Sequence, residues 1–155
     1  MRTRTGYSKT AMSAIVVEPV VDATEEVVSA CHRLIPQLSS SSVNISHDEL
    51  REIVSSDSTV LFAARDDGAI VGLLTLAIFR IPTGTRAWIE DVVVDERARG
   101  RGVGEALNQA ALTEAKRRGA KTVDLTSRPS REAANRLYQR IGFVRRDTNV
   151  YRYDV

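Results

Sequence analysis

The spacing of apolar residues along this chain changes several times, and each change marks an element. Ile15 to Glu18 is a short apolar run, read as a first strand. Asp22 followed by Glu25 has the spacing of a helix N-cap with its reciprocal acid. Val27, Val28, Cys31, Leu34 and Ile35 then keep helical spacing until Pro36. Ser39 to Ser42 reads as a loop. Ser46 with Glu49 repeats the capping pattern and opens a short helix through Leu50 and Ile53. Thr59 to Ala64 and Ala69 to Phe79 alternate as strands. Asp66-Asp67-Gly68 joins them, since Asp and Gly tolerate the backbone angles of a tight hairpin turn. Pro82-Thr83-Gly84 turns the chain again, and Arg86 to Val94 is the next strand.

The second half continues the alternation. Val103, Ala106, Leu107, Ala110, Ala111 and Ala115 fall on one face of a long helix that Gly119 ends. Thr122 to Thr126 reads as a strand. Ser130 opens a helix through Leu137 that Gly142 closes, and Phe143 to Tyr153 supplies one or two final strands. The predicted order is β-α-α-β-β-β-α-β-α-β. No repeat or long linker divides it, so residues 14–155 are expected to form one α/β domain. Residues 1–13 are polar, carry Arg2, Arg4 and Lys9, and lack the apolar stretch of a signal peptide. They read as a flexible tail, with Met12 as an alternative start.

The junction after Val94 carries the most chemical information. A β-branched strand, Val92-Val93-Val94, stops. Asp95 to Ala98 form a short charged loop, and Arg99-Gly100-Arg101-Gly102-Val103-Gly104 lead into the long helix. The first turn of a helix has free N–H donors and the positive end of the helix dipole, and here no side chain crowds them. Such a junction suits an anion, above all phosphate. Part of a dinucleotide fingerprint is present, because Asp124 lies twenty residues beyond Gly104. Three facts oppose that reading. Leu107 stands where the third small residue belongs, five residues separate strand and first glycine, and only about fifty residues follow. A P-loop is absent, because no Gly-Lys-Ser/Thr follows the glycines.

Composition narrows the partners. The 22 basic and 20 acidic residues nearly cancel, so the chain has no general polyanion-binding charge. Basic residues concentrate towards the C-terminus, and an anionic small ligand accounts for that without nucleic acid. Aromatic stacking positions for nucleic acid are also lacking. No stretch approaches the length of a membrane span. Cys31 is the single cysteine, which excludes an internal disulfide and fits a reducing cytoplasm. Cys31 and His32 have no companions at metal-ligand spacing, and His47 decorates a helix start, so no metal is expected. Trp88, the single tryptophan, reads as a core residue.

A second motif joins the first. Ala134-Asn135-Arg136-Leu137-Tyr138-Gln139-Arg140-Ile141-Gly142-Phe143 is a helix ending in Leu-Tyr-x-x-x-Gly-Phe. Together with Arg99-x-x-Gly102-x-Gly104, in that order and on strand–helix elements, it closely resembles the GNAT family of N-acetyltransferases. The resemblance covers Arg86 to Tyr153 well, and the N-terminal half agrees in its order of elements. It implies a mixed, mostly antiparallel sheet of six to seven strands, splayed at strands 4 and 5 and flanked by about four helices. It implies acetyl-CoA as cofactor, with the backbone of Val92, Val93 and Val94 pairing with pantetheine. The backbone from Arg99 through Gly100, Arg101, Gly102, Val103 and Gly104 would hold the pyrophosphate, with Arg99 and Arg101 adding charge-assisted hydrogen bonds.

The same resemblance casts Tyr138 as the general acid that protonates the departing thiolate. The acceptor, a primary amine with a pKa near 10.4 if lysine-like, must lose a proton before attack. Glu90 is the favoured base, directly or through a water, with Asp91 the alternative. In an uninterrupted strand Glu90 shares a face with Val92 and Val94, and a bulge would reverse this. Many family members carry an Asn seven residues before the tyrosine. Here that position is Arg131, which either reaches a cofactor phosphate or is solvated. Members that acetylate protein N-termini often have a Glu at the end of the fifth strand, where this chain has Thr126 and Ser127. Ile89-Glu90-Asp91-Val92-Val93-Val94 resembles the aminosugar-phosphate N-acetyltransferases. The expected activity is direct acetyl transfer in a ternary complex to a small-molecule, lysine or peptide amine. A non-catalytic acyl-CoA-binding module is the alternative. The final strand offers an edge through which two copies would pair.

Overall fold

A computed structural model describes residues 14–39 and 44–155, so the N-terminal tail and residues 40–43 of the serine loop lie outside the described residues. The elements are β1 (Val16–Pro19), α1 (Glu25–Leu38), α2 (His47–Ser55), β2 (Thr59–Asp66), β3 (Ala69–Ile81), β4 (Gly84–Val94), α3 (Val103–Arg117), β5 (Val123–Asp124) and α4 (Glu132–Arg140), with a 3-10 turn at Glu96–Ala98. The five strands form one sheet in the order β1-β2-β3-β4-β5. Every pair is antiparallel except β4 with β5, which is parallel.

Local chemistry explains most boundaries. The Ser46 hydroxyl accepts the Glu49 N–H at 3.1 Å, and the Glu49 carboxylate accepts the Ser46 N–H at 2.7 Å, as the capping pattern predicts. The first helix starts two residues later than predicted, because Thr24 rather than Asp22 is its cap. It also runs through Pro36 to Leu38. That proline lies in the last turn and removes a single ladder donor, while the Ser39 N–H still reaches the Ile35 carbonyl at 3.3 Å. The β2–β3 hairpin turns on Asp67 and Gly68, both at positive φ (49° and 82°), the geometry that Asp-Gly tolerates.

Two apolar layers hold the sheet. Leu74, Leu76 and Ile78 of β3 and Ala87 and Ile89 of β4 face Val103, Leu107, Ala111 and Ala115 of α3. On the opposite face Leu61, Ala63, Leu73 and Val93 pack against Val27, Val28, Cys31, Leu34 and Leu50 from α1 and α2. The Arg33 guanidinium ties α1 to the end of β4, pairing with the nearly buried Asp95 and donating to the Ile70 carbonyl at 2.6 Å.

The sheet has fewer strands than the six or seven expected. β5 is only two residues long, and residues 143–155 form no strand. Arg145, Arg146 and Asp147 interrupt the alternation there. A two-residue β5 offers no ladder long enough to hold a following strand in the same chain.

Candidate active site

The parallel β4–β5 ladder joins only Ala87 to Val123 and Trp88 to Asp124. From Ile89 to Val94, β4 continues without β5 beside it, so the two strands open like a wedge. Inside this wedge β4 carries a bulge. Its register against β3 steps from Val93↔Leu73 to Glu90↔Thr75, three residues on β4 against two on β3. Asp91 is the pivot, at φ +50°, in the left-handed region that Asp accepts more readily than most residues.

The bulge corrects the face expected for Glu90. Beyond it Val92 and Val94 pack towards α3, whereas Val93 enters the α1/α2 core. Glu90 lies on the same face as Trp88, whose indole N–H donates to its carboxylate at 2.8 Å. That is the α1/α2 side, opposite Val92 and Val94. Trp88 is half-buried and polar-bonded, so its expected role as a plain core residue is also corrected.

At the wide end of the wedge the chain makes the 3-10 turn and enters α3. Asp95 caps that turn, its carboxylate accepting the Arg97 N–H at 3.1 Å. Gly102 is the N-cap of α3 at φ +82°, with Gly100 at φ +75°. A Cβ on either glycine would meet nothing within 4 Å among the described residues, which leave the space over the helix N-terminus open. The first N–H donors of α3 point into this space with no side-chain cap. A side chain at 100 or 102 would fill it, and a phosphate fits it by size and sign. Arg99 and Gly100 are exposed. Arg101 is pulled aside by an ion pair with Asp66, while Val103 is buried in the α3 core and offers only its backbone.

Gly104 brings α4 in. Its missing side chain lets Leu137 approach: a Cβ there would sit 3.3 Å from Leu137 Cδ2 and 3.8 Å from Val94 Cγ2. Arg140 of α4 donates to Glu105 in the first turn of α3 at 2.7 Å. The end of β4, the start of α3 and the middle of α4 therefore meet, and Tyr138 follows Leu137 at that meeting point. The Tyr138 ring packs edge-on to Phe143, with centroids 5.8 Å apart. Burial pushes its phenol above the ordinary value, and the nearby Arg131 charge pulls it partly back. It holds its proton at neutral pH.

Arg131 is the N-cap residue of α4, and its guanidinium donates to the Leu38 carbonyl at the end of α1 at 3.1 Å. It bridges α1 and α4 on the Tyr138 side. Ser127, notable in the sequence only for standing where some relatives carry a Glu, has an Oγ three residues past β5 that is buried without a hydrogen-bond partner among the described residues. A lone Ser after a short strand has no pattern that would have revealed it. Cys31 is buried in the α1 core, and burial raises its thiol, which removes it as a nucleophile. No group of residues suited to a metal occurs among the described residues. No described helix is long and apolar enough to cross a membrane.

Comparison with known proteins agrees with this architecture. N-alpha-acetyltransferase 30 of Schizosaccharomyces pombe is 33% identical over 94 residues, which is 59% of this chain and 61% of that protein. The match thus spans less than two thirds of that relative. An acetyltransferase from Trypanosoma brucei superposes with a TM-score of 0.72 at 26% identity, over 92% of this chain and 100% of that one. Glucosamine-6-phosphate N-acetyltransferase from Arabidopsis thaliana shares the fold, with a TM-score of 0.74 at 21% identity over 90% and 98% of the two chains. The model of the acetyltransferase (GNAT) family matches residues 27–143, the stretch that holds the wedge, the bare α3 N-terminus and Tyr138, and this chain belongs to that family.

Proposed function

We propose that the protein is an N-acetyltransferase that transfers acetyl from acetyl-CoA to a primary amine by direct attack in a ternary complex. The observation that carries this is the bare α3 N-terminus under Gly100 and Gly102, set at the open end of the β4–β5 wedge. Acetyl-CoA, when bound, supplies the acetyl thioester. The backbone of Val92, Val93 and Val94 would take its pantetheine arm, and the N–H groups from Arg99 to Gly104 its pyrophosphate, with Arg99 free to add charge. Arg101 contributes chiefly its backbone, because its side chain is engaged with Asp66. Arg131 contributes from the Tyr138 side.

Glu90 accepts the proton of the incoming ammonium, directly or through one water. Tyr138 keeps a proton at Oη, available to a departing anion. The family matches and this acid–base pair favour an enzyme over a non-catalytic acyl-CoA-binding module. A thiol-release assay over a panel of amines decides it. The panel includes a peptide N-terminus, because of the 33% identical N-alpha-acetyltransferase, together with a lysine peptide and an aminosugar phosphate. Release with at least one amine is expected. Tight acetyl-CoA binding with no turnover on any amine would favour the module.

Gly102→Glu should abolish acetyl-CoA binding by placing a carboxylate over the helix N-terminus. The space is open, so the fold bears only the positive-φ strain, about 1 kcal/mol or a few degrees of melting temperature. Calorimetry beside a melting curve reads both effects. Unchanged affinity would displace the cradle from this loop.

We also propose a homodimer in a reducing, cytoplasmic setting. The C-terminal segment exposes Val150 at 70%, Tyr151 at 87% and Tyr153 at 88%, and β5 is an edge of the sheet among the described residues. Tyr151, Tyr153 and Val155 alternate in sequence, so they would share one face once the segment paired as a strand with a second copy. Light scattering should give a dimer for the full chain and a monomer for the Tyr151→Asp, Tyr153→Asp variant. A monomeric full chain would refute the pairing.

A further inference from the structure

The Trp88–Glu90 contact lies outside both sequence motifs. Residues two apart on a strand share a face, and long side chains there can reach each other. Opposite them on β3 stand Ala77 and Thr75, both small, which leaves room for the indole to lie along the strand towards Glu90. On the other side the ladder pairs Trp88 with Asp124, but the Asp124 carboxylate faces the Thr122 hydroxyl at 3.3 Å. The indole N–H donates instead to Glu90 Oε1, at 2.8 Å. The bulge at Asp91 lies immediately beyond, so Glu90 is the last residue before the strand changes face.

We propose that Trp88 is a positioning residue: its indole N–H holds one oxygen of the Glu90 carboxylate, leaving the other turned to the acceptor amine. The proposal rests on Glu90 being the base. An exposed glutamate on a strand has three rotatable bonds and many rotamers. A fixed donor on the same strand restricts them, so the carboxylate meets the amine in one orientation. An indole N–H can only donate, so the contact needs a carboxylate or amide oxygen at 90 to persist.

A double-mutant cycle tests this, because a residue acting through Glu90 loses its effect when Glu90 is gone. Glu90→Gln should lower kcat roughly 100-fold, the lower end of general-base effects. Trp88→Phe keeps the ring and removes the donor. It should lower kcat roughly tenfold, with the KM for acetyl-CoA unchanged. In the Glu90→Gln background, Trp88→Phe should lower kcat no further. An equal, additive loss in both backgrounds would overturn the proposal, as would an unchanged kcat in the single variant.

Because the chain contains one tryptophan, its fluorescence reports on this contact without any change at position 88. The emission of the wild type should differ from that of Glu90→Ala, and identical spectra would overturn the contact. If Glu90→Gln keeps full activity while the Glu90→Ala emission still shifts, the base assignment fails and the proposal with it, although the hydrogen bond stands. If Glu90→Gln is impaired but Trp88→Phe is not, the base assignment survives and the positioning role alone falls.

Discussion

Replacing Tyr138 by Phe should lower kcat by about 100- to 10,000-fold while leaving the acetyl-CoA dissociation constant nearly unchanged. The substitution keeps the ring and its edge-on packing against Phe143, at 5.8 Å between centroids, and removes only the hydroxyl. Leu137 keeps its seat on Gly104, so the helix and the open space over α3 are undisturbed. A hydroxyl that merely filled space would cost stability and spare turnover. Isothermal titration and steady-state kinetics on the same preparation separate the two, and a fully active Tyr138→Phe would end the acid assignment. The pH dependence carries a second check. The acid works only while protonated, so its contribution is present below the phenol pKa and lost as pH rises through it. Burial raises that pKa and Arg131 opposes the rise, so Arg131→Gln should move the alkaline limb of the rate profile to higher pH. A limb that moves down, or stays, would place Arg131 away from the phenol.

The second large effect is structural and lies at Gly72. Gly72→Val should destabilise the protein by about 2–4 kcal/mol, lowering the melting temperature by roughly 5–15 °C. A Cβ at this position would stand 2.9 Å from Val103 Cγ1, 3.0 Å from Leu107 Cδ1 and 3.1 Å from the Val93 carbonyl oxygen. The carbonyl belongs to β4 and lies beside the β3–β4 register pair Gly72↔Val94, so it cannot retreat without disturbing the ladder. The two side chains are buried on α3. Relief therefore comes from lifting the start of α3, and that moves the glycine cradle. Acetyl-CoA affinity should fall together with stability, which urea denaturation and calorimetry would read in parallel. Val103→Ala should restore part of the stability lost in a Gly72→Ala variant. No rescue would mean that Leu107 or the Val93 carbonyl, not Val103, is the hard contact.

Motifs of short range were legible because their physics is local. The Ser46–Glu49 capping box, the Asp67-Gly68 turn and the glycines before α3 each depend on residues within a few positions, and all occur where the spacing places them. Asp22 and Thr24, two positions apart, both have capping side chains, and the Thr24 hydroxyl is the one that reaches the first turn. Trp88 departs from the core role its residue type suggests, because burial of a lone aromatic depends on what lies opposite. Small residues on β3 and a glutamate two positions on gave it a polar partner instead of a core.

The order of elements from β1 to α4, the anion-suited glycine junction and the Leu-Tyr helix can be read from the residues alone. Each is encoded in side-chain period, capping chemistry or backbone freedom over a few residues. The face on which Glu90 stands follows only from the packed sheet, because one extra residue at Asp91 reverses every side chain beyond it and strand parity alone cannot show a bulge. The packed sheet also sets where β5 stops, after two residues, and residues 143–155 pair with no strand among the described residues. A strand exists only when another edge lies beside it, and that depends on residues far apart in the chain.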